Sequence, residues 1–224
     1  MKIRKYFFNN FYLLPIWIFP LVLFAPILLR GETLFWGTPA LQFIPWHQLT
    51  IDLLKDGVFP FWNTMNGMGA PLAANYQSAL FYPPNWVVLL PGIFLDTGWL
   101  AWGHTFLILV HLIWAGLGMT MLMKVLGFAE INQVITGVAF SLCGYLLARN
   151  GFFSIIWAGS WLPWVLKAAS AISYPGCKQV SRCSFLHLPL IITVAMQLLA
   201  GHAQLTWYTL LLMLAWLATG GWTE

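Results

Sequence analysis

Charge is what this sequence has least of. Only 7% of its 224 residues are Asp, Glu, Lys or Arg, six carboxylates against ten basic side chains, where a soluble domain carries about 25%. With 60% hydrophobic residues and a mean hydropathy of +0.79, too few polar side chains remain to cover a water-facing surface, and the chain reads as an integral membrane protein. Cysteine is scarce too. Cys143 lies in an apolar run, and Cys177 and Cys183 flank a basic stretch. They form neither a zinc spacing nor a disulfide framework. A Gly-rich Walker loop, a GxSxG elbow and an HExxH pair are all missing, which removes P-loop, α/β-hydrolase and zincin chemistry. The short alternating segments of a membrane β-barrel are missing as well. The apolar runs are long and continuous, several reaching the roughly 20 residues that a helix needs to cross a bilayer. Helices are therefore the spanning units. The formal charge of +4 does not suggest nucleic acid, because the basic residues sit at segment ends, as membrane topology demands.

The chain opens with Lys2, Arg4 and Lys5, followed by an apolar run to Leu29. That run is too long for a signal-peptide core and has no small-x-small cleavage site. It reads as an uncleaved first helix with its N-terminus inside, and Pro15, Pro20 and Pro26 require neighbours that satisfy the freed carbonyls. Further spans are expected over about 99–123, 131–148, 153–172, 185–199 and 205–218, an all-α polytopic protein of about six helices. His104 and His111 share one face of the second and read as buried histidines bonded to neighbouring helices. Gly137, Ser141 and Gly144 offer small faces to the third. Lys124, Lys167, Lys178 and Arg182 fall inside with the N-terminus, and Arg30, Lys55 and Arg149 outside. The asymmetry places the N-terminus in the cytoplasm.

The long first outer loop, residues 30–98, holds the informative residues. Loops of this length are functional or disordered, and this one is too aromatic for disorder. Thr38-Pro39 is a good helix start and Gly57 a good stop. Between them Leu41, Pro45, Leu49 and Leu53 recur every four residues, as do Gln48, Asp52 and Asp56. The spacing predicts an amphipathic helix lying on the membrane surface with its leucines buried and Asp52 wet. Pro- and Gly-punctuated turns follow. The apolar stretch 86–95 is too short to span. Trp36, Trp46, Trp62 and Tyr76 read either as an interfacial belt or as platforms for sugar rings.

GETLFW, GVFPFWNTMNGMGAP, ANYQSALFYPPNW and GHAQLTWY, in that order and spacing, resemble the N-terminal part of bacterial YfhO-type membrane proteins of the GT-C glycosyltransferase superfamily. The matching positions are Gly31-Glu32, Gly57 to Asn63, Gly69 to Pro71, Tyr82-Pro83 and Gly201 to Gln204. The family more commonly has Asp after the glycine, so Glu32 reaches one methylene farther. The resemblance implies a GT-C-like fold in the bacterial cytoplasmic membrane. It implies transfer of a sugar from a polyprenyl-phosphate donor to an acceptor on the outer face. Glu32 would be the general base or a contact to a divalent cation. Arg30, Arg149, His202, Gln204, Asn63, Tyr76 and Gln77 would bind the substrates. Superfamily enzymes have more helices, so the chain is expected to be an N-terminal piece of a longer protein. The competing class is a non-enzymatic membrane protein of lipid or polysaccharide transport or assembly. Against it stand helix interiors nearly free of charge, since transporters place polar groups at mid-membrane.

Overall fold

The computed structural model describes residues 11–34, 36–172 and 180–219, with the backbone alone for 180–186. The orienting charges Lys2, Arg4, Lys5 and Lys178, the side chain of Arg182, and both Cys177 and the Cys183 side chain lie outside the described residues.

Most of the described residues are helical. A 3-10 turn leads into α1 (Leu14–Leu29). The outer loop carries α2 (Ile44–Lys55) and α3 (Pro83–Gly92). Then come α4 (Thr97–Val125), α5 (Glu130–Ser141), α6 (Gly144–Ala148), α7 (Phe153–Ile172), α8 (Val180–Leu199) and α9 (Ala203–Ala218). Among the described residues four stretches are long and apolar enough to cross a membrane: Phe11–Leu29, α4, Glu130–Ala148 and α7. The apolar parts of the last two helices, His187–Leu199 and Ala203–Ala218, are shorter. An all-α membrane protein is what the helices make. α8 begins at Val180, inside the stretch expected to be a loop. The expected third span is interrupted: Cys143 is extended (φ −62°, ψ 146°) between α5 and α6, next to Gly144, a poor helix former.

α4 is the spine. It packs against α7, α5, α1, α3 and α2, and its buried residues occur all round it, among them Leu100, Ala101, Leu109 and Ile113. The Asp96 carboxylate caps it, accepting the Trp99 N–H at 3.0 Å, which satisfies one of the free N–H groups of a helix start. α5 comes close because Gly137 faces Gly116: a Cβ on Gly137 would lie 2.8 Å from the Gly116 carbonyl. α1 buries only Ile16, Pro20 and Phe24, a one-sided stripe four residues apart. Its other faces stay apolar and exposed, as suits contact with lipid.

Helix α2 forms where expected, but its packed face differs. A wide π turn, Pro39–Phe43, precedes it. Pro45 has no N–H to give the Leu41 carbonyl, so α-helical bonding fails there and the turn opens. The side chains that go inward are Phe43, Ile44, His47, Thr50 and Ile51. Leu41 is 79% exposed, Leu49 and Leu53 are half-buried, and Asp52 and Asp56 are exposed. The helix thus docks on the bundle through the stripe next to the leucines. Downstream, Trp62–Asn63 pairs antiparallel with Ala70–Pro71, Trp62 opposite Pro71 and Asn63 opposite Ala70. Gly69 enters this ribbon at φ +94°, and the Trp62 indole fills the space that a Cβ would need. The ribbon therefore requires glycine there.

Candidate functional site

Between the 3-10 turn Tyr76–Ser78 and the start of α3 the chain runs into the bundle without regular structure, so carbonyls there need other partners. Three side chains supply them. His47 Nε2–H donates to the Ser78 carbonyl at 2.9 Å, Asn85 Nδ2 to Ala79 at 2.9 Å, and Trp86 Nε1 to Leu80 at 2.8 Å. A carbonyl only accepts, so His47 carries its proton on Nε2. Tyr82 is fully buried. Its hydroxyl accepts from Trp161 Nε1 at 2.8 Å and donates to His111 Nε2 at 2.7 Å. His111 Nδ1–H in turn donates to the Leu107 carbonyl at 2.7 Å. The chain of bonds ties the loop to α4 and α7. Burial holds the Tyr82 hydroxyl well above the ordinary phenol range, so it remains a proton donor.

A second tie runs beside it. The His47 ring stacks on His104 (centroids 4.6 Å apart, planes 20°), and His104 stacks on Phe153 (5.2 Å, 14°). His104 Nδ1–H donates to the Leu100 carbonyl at 2.7 Å. His47 Nδ1 and His104 Nε2 have no partner. Burial pushes His47 down to about 4, since desolvation disfavours the charged ring. His104 and His111 are buried as expected, but neither is bonded to a neighbouring helix: His104 bonds only within α4, and His111 reaches out of α4 to the Tyr82 hydroxyl of the loop. His47 was not singled out in the sequence, although its spacing from Phe43, Thr50 and Ile51 is the helical i, i+4, i+7 pattern.

Glu32 and Arg30 stand at the end of α1. Their side chains are 3.9 Å apart and largely exposed. Immediately after Glu32 the chain forms one wall of an open cleft of about 370 Å³, through Thr33, Leu34, Trp36, Gly37 and Thr38. The opposite wall is the α6–α7 turn, Ala148 and Asn150–Phe152. Arg149 lies within that turn, its guanidinium carbon 5.8 Å from the centroid of the Phe152 ring. Glu32 and Arg149 are thus chain neighbours of lining residues, on opposite walls. Leu34 N–H donates to Thr105 Oγ1 at 3.0 Å, which fixes the first wall to α4.

Tyr76 and Gln77 meet the GHAQ turn. Gly201 has φ +85°, and a Cβ there would lie 2.7 Å from the Tyr76 carbonyl and 3.4 Å from the Gln77 Cα. His202 caps α9, its Nδ1 accepting the Leu205 N–H at 3.1 Å. It is therefore Nε2-protonated when neutral, and partial burial lowers its pKa. Gln204 is exposed and donates to the Tyr208 hydroxyl at 2.8 Å. Asn63 belongs to neither group; it lines a groove between α2 and the ribbon. The eight candidate residues therefore fall in three places on one end of the bundle: the Glu32 cleft, the Tyr76–His202 contact and the Asn63 groove. Among the described residues no three His, Cys, Asp or Glu side chains gather as a metal cage. None of the three charged side chains, Glu32, Arg30 and Arg149, lines the cleft itself; Glu32 and Arg149 adjoin lining residues in the chain, and a carboxylate and a guanidinium are groups suited to a proton acceptor and an anionic leaving group. Compared with models of protein families, with curated proteins and with solved structures, the chain matches none.

Proposed function

We propose that the chain is the membrane part of a GT-C-type, YfhO-like glycosyltransferase. It transfers a sugar from a polyprenyl-phosphate donor to a hydroxyl acceptor at the outer face of the bacterial cytoplasmic membrane. In this reading the two shorter helices complete a six-helix, GT-C-like membrane domain. The observation that carries the reading is the cleft at the end of α1, with Glu32 on one wall's approach and Arg149 on the other's. A reaction there leaves the donor's lipid tail in the bilayer. The acceptor oxygen attacks the anomeric carbon while the anomeric carbon–phosphate oxygen bond breaks. Glu32 takes the hydroxyl proton late in the step, when the hydroxyl has become acidic. Arg149 and Arg30 stabilise the charge gathering on the departing lipid phosphate. In this reading His202, Gln204, Tyr76 and Gln77, at the GHAQ contact, and the Asn63 groove bind parts of the substrates that lie outside the cleft.

The test is Glu32→Gln in the intact gene product, assayed with a labelled polyprenyl-phosphate sugar. The substitution keeps size and hydrogen bonding but removes the base, and transfer should fall by about 10²–10⁴, with insertion and folding unchanged because Glu32 is exposed. Wild-type transfer by Glu32→Gln would remove Glu32 as the base. No transfer by the wild type from any such donor would turn the assignment to transport or assembly.

A further inference from the structure

The groove beneath the ribbon has a chemistry of its own. It holds about 330 Å³ between the π turn and start of α2 on one side and the 63–66 segment on the other. Three side-chain amides reach it: Gln42, Asn63 and Asn66. The Trp46 indole and Leu49 add apolar surface, and no charged side chain lines it. Asn63 is the telling residue. It is only 7% exposed, and its Oδ1 is committed to the Met65 N–H at 2.9 Å. Its Nδ2 donates to nothing, yet is not sealed from solvent. A nearly buried amide on a groove's lining, with its donor unpaired, is a polar group open to a partner. Gln42 and Asn66 are exposed and make no side-chain hydrogen bond. The groove therefore supplies several uncommitted donors and acceptors around an aromatic face.

We infer that this groove binds a neutral saccharide. Amides pair in both senses with hydroxyl groups, and the C–H faces of a pyranose match Trp46 and Leu49. An anionic ligand would find no countercharge. A lining that is about equally polar and apolar, with three amides beside an indole, suits a ligand that is itself both hydroxylated and C–H-faced. The groove and the Glu32 cleft are lined by neighbouring parts of one segment, Thr38 on the cleft side and Leu41-Gln42 on the groove side. The saccharide is thus placed as the acceptor; that placement rests on the proposed transferase reading, while the binding does not.

The full chain, in nanodiscs prepared with a non-glycosidic detergent, would be titrated with neutral trisaccharides of glucose, galactose, mannose and N-acetylglucosamine. Saturation-transfer NMR reads binding. Dodecyl maltoside below its micellar concentration, with dodecyl octaethylene glycol as chain control, tests a glycolipid head in place of a free glycan. Saturable binding of a trisaccharide or of the maltoside head is expected. Gln42→Ala and Asn66→Ala, which touch no internal bond, should each weaken it about three- to tenfold, one net hydrogen bond apiece. Asn63→Ala should do at least as much. Binding retained in a chain that transfers no sugar leaves the inference standing and removes the transferase reading. Absence of binding by every saccharide probe, undiminished binding in the Gln42 and Asn66 variants, or preference for N-acetyl-trialanine amide would overturn the inference.

Discussion

Tyr82→Phe isolates a single oxygen in the middle of the fold. The ring remains, with its packing against Trp157 (centroids 5.8 Å apart). What goes is the hydroxyl that accepts from Trp161 Nε1 at 2.8 Å and donates to His111 Nε2 at 2.7 Å. Both partners are buried, His111 at 3% and Trp161 at 9% exposure, and among the described residues the Tyr82 hydroxyl is the one hydrogen-bond partner of His111 Nε2 and of Trp161 Nε1. A buried group left unpaired costs about 1–3 kcal/mol, so two give roughly 2–4 kcal/mol once some relaxation is allowed. For a chain of 224 residues each kcal/mol moves the midpoint by about 2–4 °C, a drop on the order of 10 °C. Thermal unfolding in one detergent, followed by circular dichroism, measures it. The cycle with Trp161→Phe is sharper. The double variant should lose clearly less than the sum of the singles, because the second substitution removes a group already orphaned. A Tyr82→Phe midpoint equal to that of the wild type, or strict additivity in the cycle, would refute the claim that this hydroxyl joins the loop to α4 and α7.

Three other outcomes follow from the same structure. His47 takes its proton at about 4 when folded against about 6.5 unfolded; the unfolded state binds the proton first, so stability is full above pH 6.5 and falls through the window from 6.5 to 4, by about 3 kcal/mol in all. His47→Gln should flatten that slope in pH-dependent unfolding, and an unchanged slope would assign it to other groups. Gly201→Ala should destabilise by more than about 1 kcal/mol, since φ is +85° and the new Cβ meets the Tyr76 carbonyl; unfolding at wild-type temperature would mean that the GHAQ turn does not press on the loop. A single cysteine at Met68, fully exposed on the ribbon, in a background without Cys143, Cys177 and Cys183, should react with an impermeant thiol reagent in intact cells; labelling only after lysis would put the long loop in the cytoplasm.

The membrane class and most helix positions were legible in the sequence because hydrophobic continuity is a local property. The span expected at 153–172 is α7 itself, and the helices expected at 99–123 and 205–218 extend by about two residues at one or both ends. The helical character of 39–56 could also be read, since Thr38, Pro39, Pro45 and Gly57 act on their own backbone. Which side of α2 faces inward could not. Leu41, Pro45, Leu49 and Leu53 form as good a stripe as Phe43, His47, Thr50 and Ile51, and only the shape of the surface under the helix chooses between them. The motif residues divide the same way. That Gly69, Tyr82, Asn85 and Gly201 recur in ordered segments is visible in the chain. That Gly69 seats the Trp62 indole, that Tyr82 bridges His111 and Trp161, and that Gly201 presses on Tyr76 are contacts across 7, 29, 79 and 125 positions of sequence. Partners so distant carry no local periodicity. Glu32, Asn63 and His202 stand in three separate places for the same reason: their order along the chain says nothing about which pairs the packing of α1, α4, α7 and the loop will bring together.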